Sequence, residues 1–170
     1  MFRQLIAVLV VALCVGAGVT TAQTTQTQGP VNDTFLWHGE LVAVDSGSGT
    51  FTVKAHMLSD AAKDVARFNA GDRVLLTWSG VDKYAGAVRL IAKHEANQTV
   101  NDPFAFPVEL ASRDVQNDYV TIRFRAPAAA VAAVKTVKPG EWITVTMRQR
   151  SSDAQGIVSI EPYVKSAPNT

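Results

Sequence analysis

The chain of 170 residues carries 16 Lys+Arg against 15 Asp+Glu, a formal net charge of +1. So flat a balance excludes bulk electrostatic attraction to nucleic acid or anionic lipid, leaving such contacts only to a local cluster. The single cysteine, Cys14, excludes a disulfide framework.

In chain order, residues 1–22 read as a signal peptide. Arg3 supplies a short positive start, Leu5 to Val19 is uninterrupted apolar residues and glycine, and Thr20-Thr21-Ala22 offers a small-residue cleavage site. The apolar run is shorter than the ~20 residues a membrane-spanning helix needs. Leu13, large where a lipoprotein signal wants a small residue, argues against acylation of Cys14. Cleavage would remove Cys14, and with it thiol redox chemistry and thiolate metal ligands. It would release a periplasmic or secreted protein, whereas a retained N-terminal helix would tether it to a membrane. Residues 23–30 have almost no apolar side chain to bury and form a flexible lead-in.

Residues 31–94 form the first structural unit. The apolar stretch Phe35–Asp45 is a strand that can bend in two. In the next strand Phe51, Val53 and Ala55 oppose Thr50, Thr52, Lys54 and His56, the alternation of a half-buried strand. Ser59 is the expected N-cap of a helix over 60–68. Gly71-Asp72 makes a turn in which glycine takes positive φ, before a strand with Val74, Leu76 and Trp78 inward. A last strand near Ala87–Lys93 changes the parity of its apolar positions, which predicts a bulge.

After a polar linker at 95–99, residues 100–165 repeat this plan at a constant offset of 69 residues. Val31-Asn32-Asp33 returns as Val100-Asn101-Asp102, Glu40-Leu41 as Glu109-Leu110, Gly71 as Gly140 and Thr77 as Thr146. A single offset over many positions marks an internal duplication. Val120, Ile122 and Phe124 match the first repeat's inward strand. Pro127 opens a helix reaching Lys135, and Ile143, Val145 and Met147 match Val74, Leu76 and Trp78. The last strand runs near Gly156–Tyr163, and residues 166–170 are a polar tail. Acidic and basic residues balance within each repeat.

The predicted class is therefore mainly β: two tandem OB-like small antiparallel barrels or half-barrels, each with one short plugging helix. A single closed sheet drawing four strands from each repeat is the alternative. The run Gly39–Asp45, Thr50–Val53 and Ala70–Val74 resembles small bacterial periplasmic OB-like domains, among them the copper chaperone of the copper/silver efflux system. In that family copper is held by a histidine at the end of the second strand, then a tryptophan and two methionines. His56 matches the histidine, but 57–68 contains no tryptophan and no second methionine, so the resemblance implies a scaffold without its metal motif.

What the repeats do not share marks the candidate sites. His38, His56 and His94 correspond to Pro107, Arg125 and Tyr163, so the scaffold does not require them. With Met57 they are the candidate ligands of a copper or zinc carrier, the alternative function. In the second repeat, Tyr119, Arg123 and Arg125 share the outer face of one strand, and Trp142, Arg148 and Arg150 that of another. Arginines and aromatics there fit a protein or glycan partner. There is no phosphate loop, nucleophile elbow or nucleophile–base spacing. The expected function is thus a non-enzymatic, cofactor-free exported binding module, either free in the periplasm or an accessory subunit of an envelope assembly, with oligomeric state left open.

Overall fold

Alternating apolar and polar side chains build eight strands in the computed structural model, which describes residues 33–79 and 87–164. The expected signal peptide and lead-in over 1–30, Cys14, and the tail at 166–170 lie outside the described residues. The strands are β1 (Thr34–Asp45), β2 (Thr50–Met57), β3 (Arg73–Trp78), β4 (Ala87–Lys93), β5 (Ala105–Asp114), β6 (Tyr119–Arg125), β7 (Trp142–Arg148) and β8 (Ile157–Pro162). Helix α1 (Ser59–Val65) lies between β2 and β3, and α2 (Ala128–Ala133) between β6 and β7. Ser59 is the first residue of α1 rather than its cap, which is Leu58 without a side-chain hydrogen bond; Pro127 is the corresponding residue of α2.

The strands do not sort by repeat. They form one sheet in the order β4-β3-β5-β6-β2-β1-β7-β8, so no separate barrel is made from one repeat alone. Four strands from each repeat in one sheet match that much of the alternative of a single closed sheet; β4 and β8 end the order, and the added pairing is β4 with β2. β7 of the second repeat pairs with β1 of the first through Glu40 opposite Trp142, and β3 of the first pairs with β5 of the second through Glu109 opposite Arg73. Under the 69-residue offset these two pairings are one pairing seen twice. At the centre β2 and β6 run antiparallel with Val53 opposite Ile122, its own counterpart. The duplication thus folds about an approximate two-fold axis through that pair, and each repeat's β3- or β7-type strand crosses to the other repeat.

Local chemistry repeats with the same symmetry. β1 bulges between Leu41 and Ala43, and β5 between Leu110 and Ser112, so each long strand bends from one partner to the next. The expected bulges of the last strands fall opposite Thr77/Trp78 and Thr146/Met147. Gly71 (φ 91°) and Gly140 (φ 90°) take the left-handed conformation that turns the chain into β3 and β7. The acid after each glycine fixes that turn: Asp72 accepts the Asn69 N–H (2.7 Å) and Glu141 the Lys138 N–H (2.9 Å). Each turn then clamps the opposite repeat. Gly140 N–H donates to the Leu41 carbonyl and Gly71 N–H to the Leu110 carbonyl, both at 2.8 Å. In the β1–β2 turn the Ser48 hydroxyl (2.7 Å) and the Gly47 and Ser48 N–H groups donate to Asp45, holding its carboxyl below the usual carboxylate range.

One core serves both repeats. Phe51, Val53 and Ala55 of β2 meet Val120, Ile122 and Phe124 of β6, and Ala61, Ala62, Val65, Ala130 and Val131 bring both helices onto the same cluster. Trp37 and Trp78 stack inside it with ring centroids 4.4 Å apart and planes 8° from parallel. Gly39, where the second repeat has Val108, permits a close approach there: a Cβ would lie 2.4 Å from Val53 Cγ1.

Candidate partner-binding site

Side chains of β2 and β6 that point away from the core form the outer face the sequence singled out. Tyr119 sits opposite His56, their rings 5.5 Å apart, and the Lys54 ammonium stands 4.3 Å from the Tyr119 ring centre. Arg123 donates to Glu109 at 2.9 Å across the β5–β6 pair, both half exposed. Such an exposed pair contributes about 0–1 kcal/mol, so its role is to orient the guanidinium rather than to hold the sheet. Arg125 is exposed and opposite Thr50.

The other expected members stand elsewhere. Trp142 (39% exposed) and Arg148 are on β7, which is separated from β6 by β2 and β1. Three strand intervals are roughly 14 Å, so the six residues do not make one contact patch. Trp142 belongs with Tyr163, 6.4 Å between ring centres. Arg150 has φ 55° and donates from Nε to the Asn101 carbonyl (3.3 Å), a bond that ties the end of β7 to the segment before β5.

What gathers around Arg123 and Arg125 is a groove of about 480 Å³ lined by Thr50, Arg73, Phe106–Glu109, Arg123–Arg125, Ser152 and Asp153. Its size is that of a ligand pocket. Arg73, Glu109, Arg123 and Thr52 follow one another in a single row across β3, β5, β6 and β2. Glu109 is engaged by Arg123, and Asp153 accepts the Gln155 N–H (3.0 Å). Arg73 and Arg125 have no ion-pair partner among the described residues. The groove therefore presents two uncommitted guanidinium groups, suited to bidentate contact with carboxylate or another oxyanion.

The candidate metal ligands are dispersed. Successive strand residues face opposite ways: His56 points outward while Met57, 1% exposed, is in the core. His38 is half-buried, with Nδ1 3.1 Å from Thr144 Oγ1 and its ring 4.7 Å from Tyr163. His94 follows β4, is 8% exposed, and its N–H donates to the Arg73 carbonyl at 3.1 Å. Among the described residues no group of three His, Cys, Asp or Glu side chains stands close enough to hold an ion.

Burial lowers the pKa of both His38 and His94; at His94 the Arg73 charge adds to this and Glu95 opposes it. A base with a lower pKa folded than unfolded binds fewer protons when folded. Its contribution is complete above the unfolded value of 6.5 and is lost as pH falls below that toward the folded values. The urea midpoint is accordingly expected to drop between about pH 7.5 and about pH 5.5. His94→Tyr, which installs the second repeat's residue, should shrink that drop; an undiminished drop would show that His94 does not carry it.

Comparison with known protein families, curated proteins and solved structures finds no match to this chain.

Proposed function

We propose that this chain is a non-enzymatic exported binding module, periplasmic or secreted, acting free or as an accessory subunit of an envelope assembly. The observation that carries the reading is the groove beside the β2–β6 face, where Arg73 and Arg125 stand without an ion-pair partner among the described residues. Net charge is near zero overall, so this local excess selects an anionic partner surface without drawing the protein to polyanions in general. The export reading rests on residues 1–22. Among the described residues no helix is long and apolar enough to cross a membrane.

The pairing pattern supports a finer reading, one closed OB-like barrel and one OB-like half-barrel left open between β6 and β8, the two sharing β2 and β6. Strand β2 pairs with β4 in parallel through His56 and Met57, so β5, β6, β2, β4 and β3 return on themselves with α1 between β2 and β3. That is the strand order of an OB barrel whose first hairpin comes from the other repeat. The symmetry-related set is β1, β2, β6, β8 and β7, with α2 between β6 and β7. In both sets β2 and β6 are the second and third strands, the face on which OB-folds bind oligomeric ligands together with the loop between strands four and five. Ser152 and Asp153, on the groove, belong to that loop in the second set.

Replacing Arg73, Arg123 and Arg125 together by alanine is expected to abolish co-purification of the partner with the tagged mature chain at an unchanged melting temperature. Trp142→Ala with Arg148→Ala should leave recovery intact. Equal recovery by the triple variant would refute the groove as the binding surface.

A further inference from the structure

Among the described residues the approximate symmetry is broken at the edge of β6, beside the groove. In the first half β4 closes onto the edge of β2: His56 pairs with Ala87, Met57 with Val88, and the Leu58 N–H donates to the Val88 carbonyl at 2.8 Å. The equivalent edge in the second half is Arg125-Ala126-Pro127, and the equivalent of Val88 is Ile157. Pro127 has no N–H, so the counterpart of the Leu58 bond cannot form. β6 and β8 do not pair, and Ala154–Gly156 coils into a 3-10 turn before β8.

The unpaired edge is chemically ready for a strand. β6 pairs with β5 only as far as Arg123, opposite Glu109. The Ala126 N–H donates to the Gly49 carbonyl at 2.9 Å, which makes Arg125 and Thr50 a non-hydrogen-bonded pair of the antiparallel ladder. The N–H and C=O of Arg125 therefore point away from β2, toward the groove side where β5 has bent off. On an exposed strand edge, backbone groups so aimed are available to an added strand. In the first half His56, the equivalent residue, has β4 at this edge.

Resting on the groove as the binding surface, we propose that the occupant is a short, extended, acidic segment of a partner protein. It adds as a strand along Arg125, in the place that β4 fills in the other half. Its backbone meets the Arg125 N–H and C=O, and its carboxylates meet the Arg73 and Arg125 guanidiniums. Strand addition of this kind draws affinity from main-chain bonds and specificity from alternate side chains. A glycan would use the arginines but not the free strand edge.

The test uses the mature chain and three probes: a capped hexapeptide alternating glutamate and valine, the same peptide with its edge-facing amides N-methylated, and an oligogalacturonate. Affinity is read by fluorescence anisotropy, and the site by amide shifts of Phe124, Arg125 and Ala126. The plain peptide is expected to shift those amides, and N-methylation or Arg73→Ala with Arg125→Ala to weaken it at least about tenfold, a change of about 1.4 kcal/mol. Equal binding of the N-methylated peptide, or binding of the oligogalacturonate alone, would overturn strand addition while leaving the groove as a binding surface. Binding by none of the three would overturn both.

Discussion

Trp78→Ala is expected to destabilise the fold by about 3–5 kcal/mol, the range for removing a large aromatic from a packed core, and Trp37→Ala by a similar amount. Both side chains are fully buried, and each supplies the face on which the other stacks at 4.4 Å. Trp37 also meets Phe124 edge-on at 5.7 Å, so the pair connects β1 and β3 to the central β6. Neither indole N–H has a hydrogen-bond partner among the described residues, and an unsatisfied buried donor costs about 1–3 kcal/mol. Trp37→Phe, the residue that the second repeat carries at Phe106, removes that donor together with some volume. Its loss should therefore be well below that of Trp37→Ala. Urea unfolding with tryptophan and circular-dichroism probes reads both, and an alanine variant within about 1 kcal/mol of wild type would show that the stack does not organise the core.

Much of this arrangement was legible from single residues. Period-two alternation identified which side of β2, β3, β6 and β7 faces inward. The parity change within each repeat's last strand announced a bulge, which falls at Arg89 and Val158, and Gly71 and Gly140 announced their positive φ. What the pattern could not say is which strand lies beside which. Alternation fixes the face of a residue and is indifferent to its neighbour, so two self-contained barrels and one interlocked sheet carry the same inward positions. The decision is made by the clamps of Gly71 on Leu110 and Gly140 on Leu41, contacts that span the repeats.

The same limit shaped the candidate site. Arg123 and Arg125 were recognised because they share a strand face, and Glu109 was within reach of sequence reasoning as the cross-hairpin partner of Arg123. Arg73 is on the corresponding, blander outer face of the first repeat, and its place beside Glu109 comes from a pairing with β5 of the other repeat that alternation does not reveal. Trp142 and Arg148 share the outer face of their own strand, but alternation does not say that two strands separate it from β6. Pro127 was read as a helix opener, which is consistent with its place before α2. Its second effect, leaving the β6 edge without the closing N–H, emerges only once the β2–β4 pairing supplies the comparison.

The central claim is that neither repeat holds a complete sheet: β1 needs β7, β3 needs β5, and β2 and β6 complete each other. The direct measurement is to cut the chain in the 95–99 linker by expressing residues 31–97 and 98–165 as separate polypeptides. Light scattering and circular dichroism are then recorded on each alone and on their equimolar mixture. Neither fragment is expected to be a folded monomer, since each would leave the edges and apolar faces of its crossing strands uncovered. The mixture is expected to form a one-to-one complex with the strand signal and cooperative unfolding of the intact protein. A fragment that folds alone as a stable monomer, with no gain of structure on mixing, would contradict the interlocked sheet and return two self-contained barrels, one per repeat.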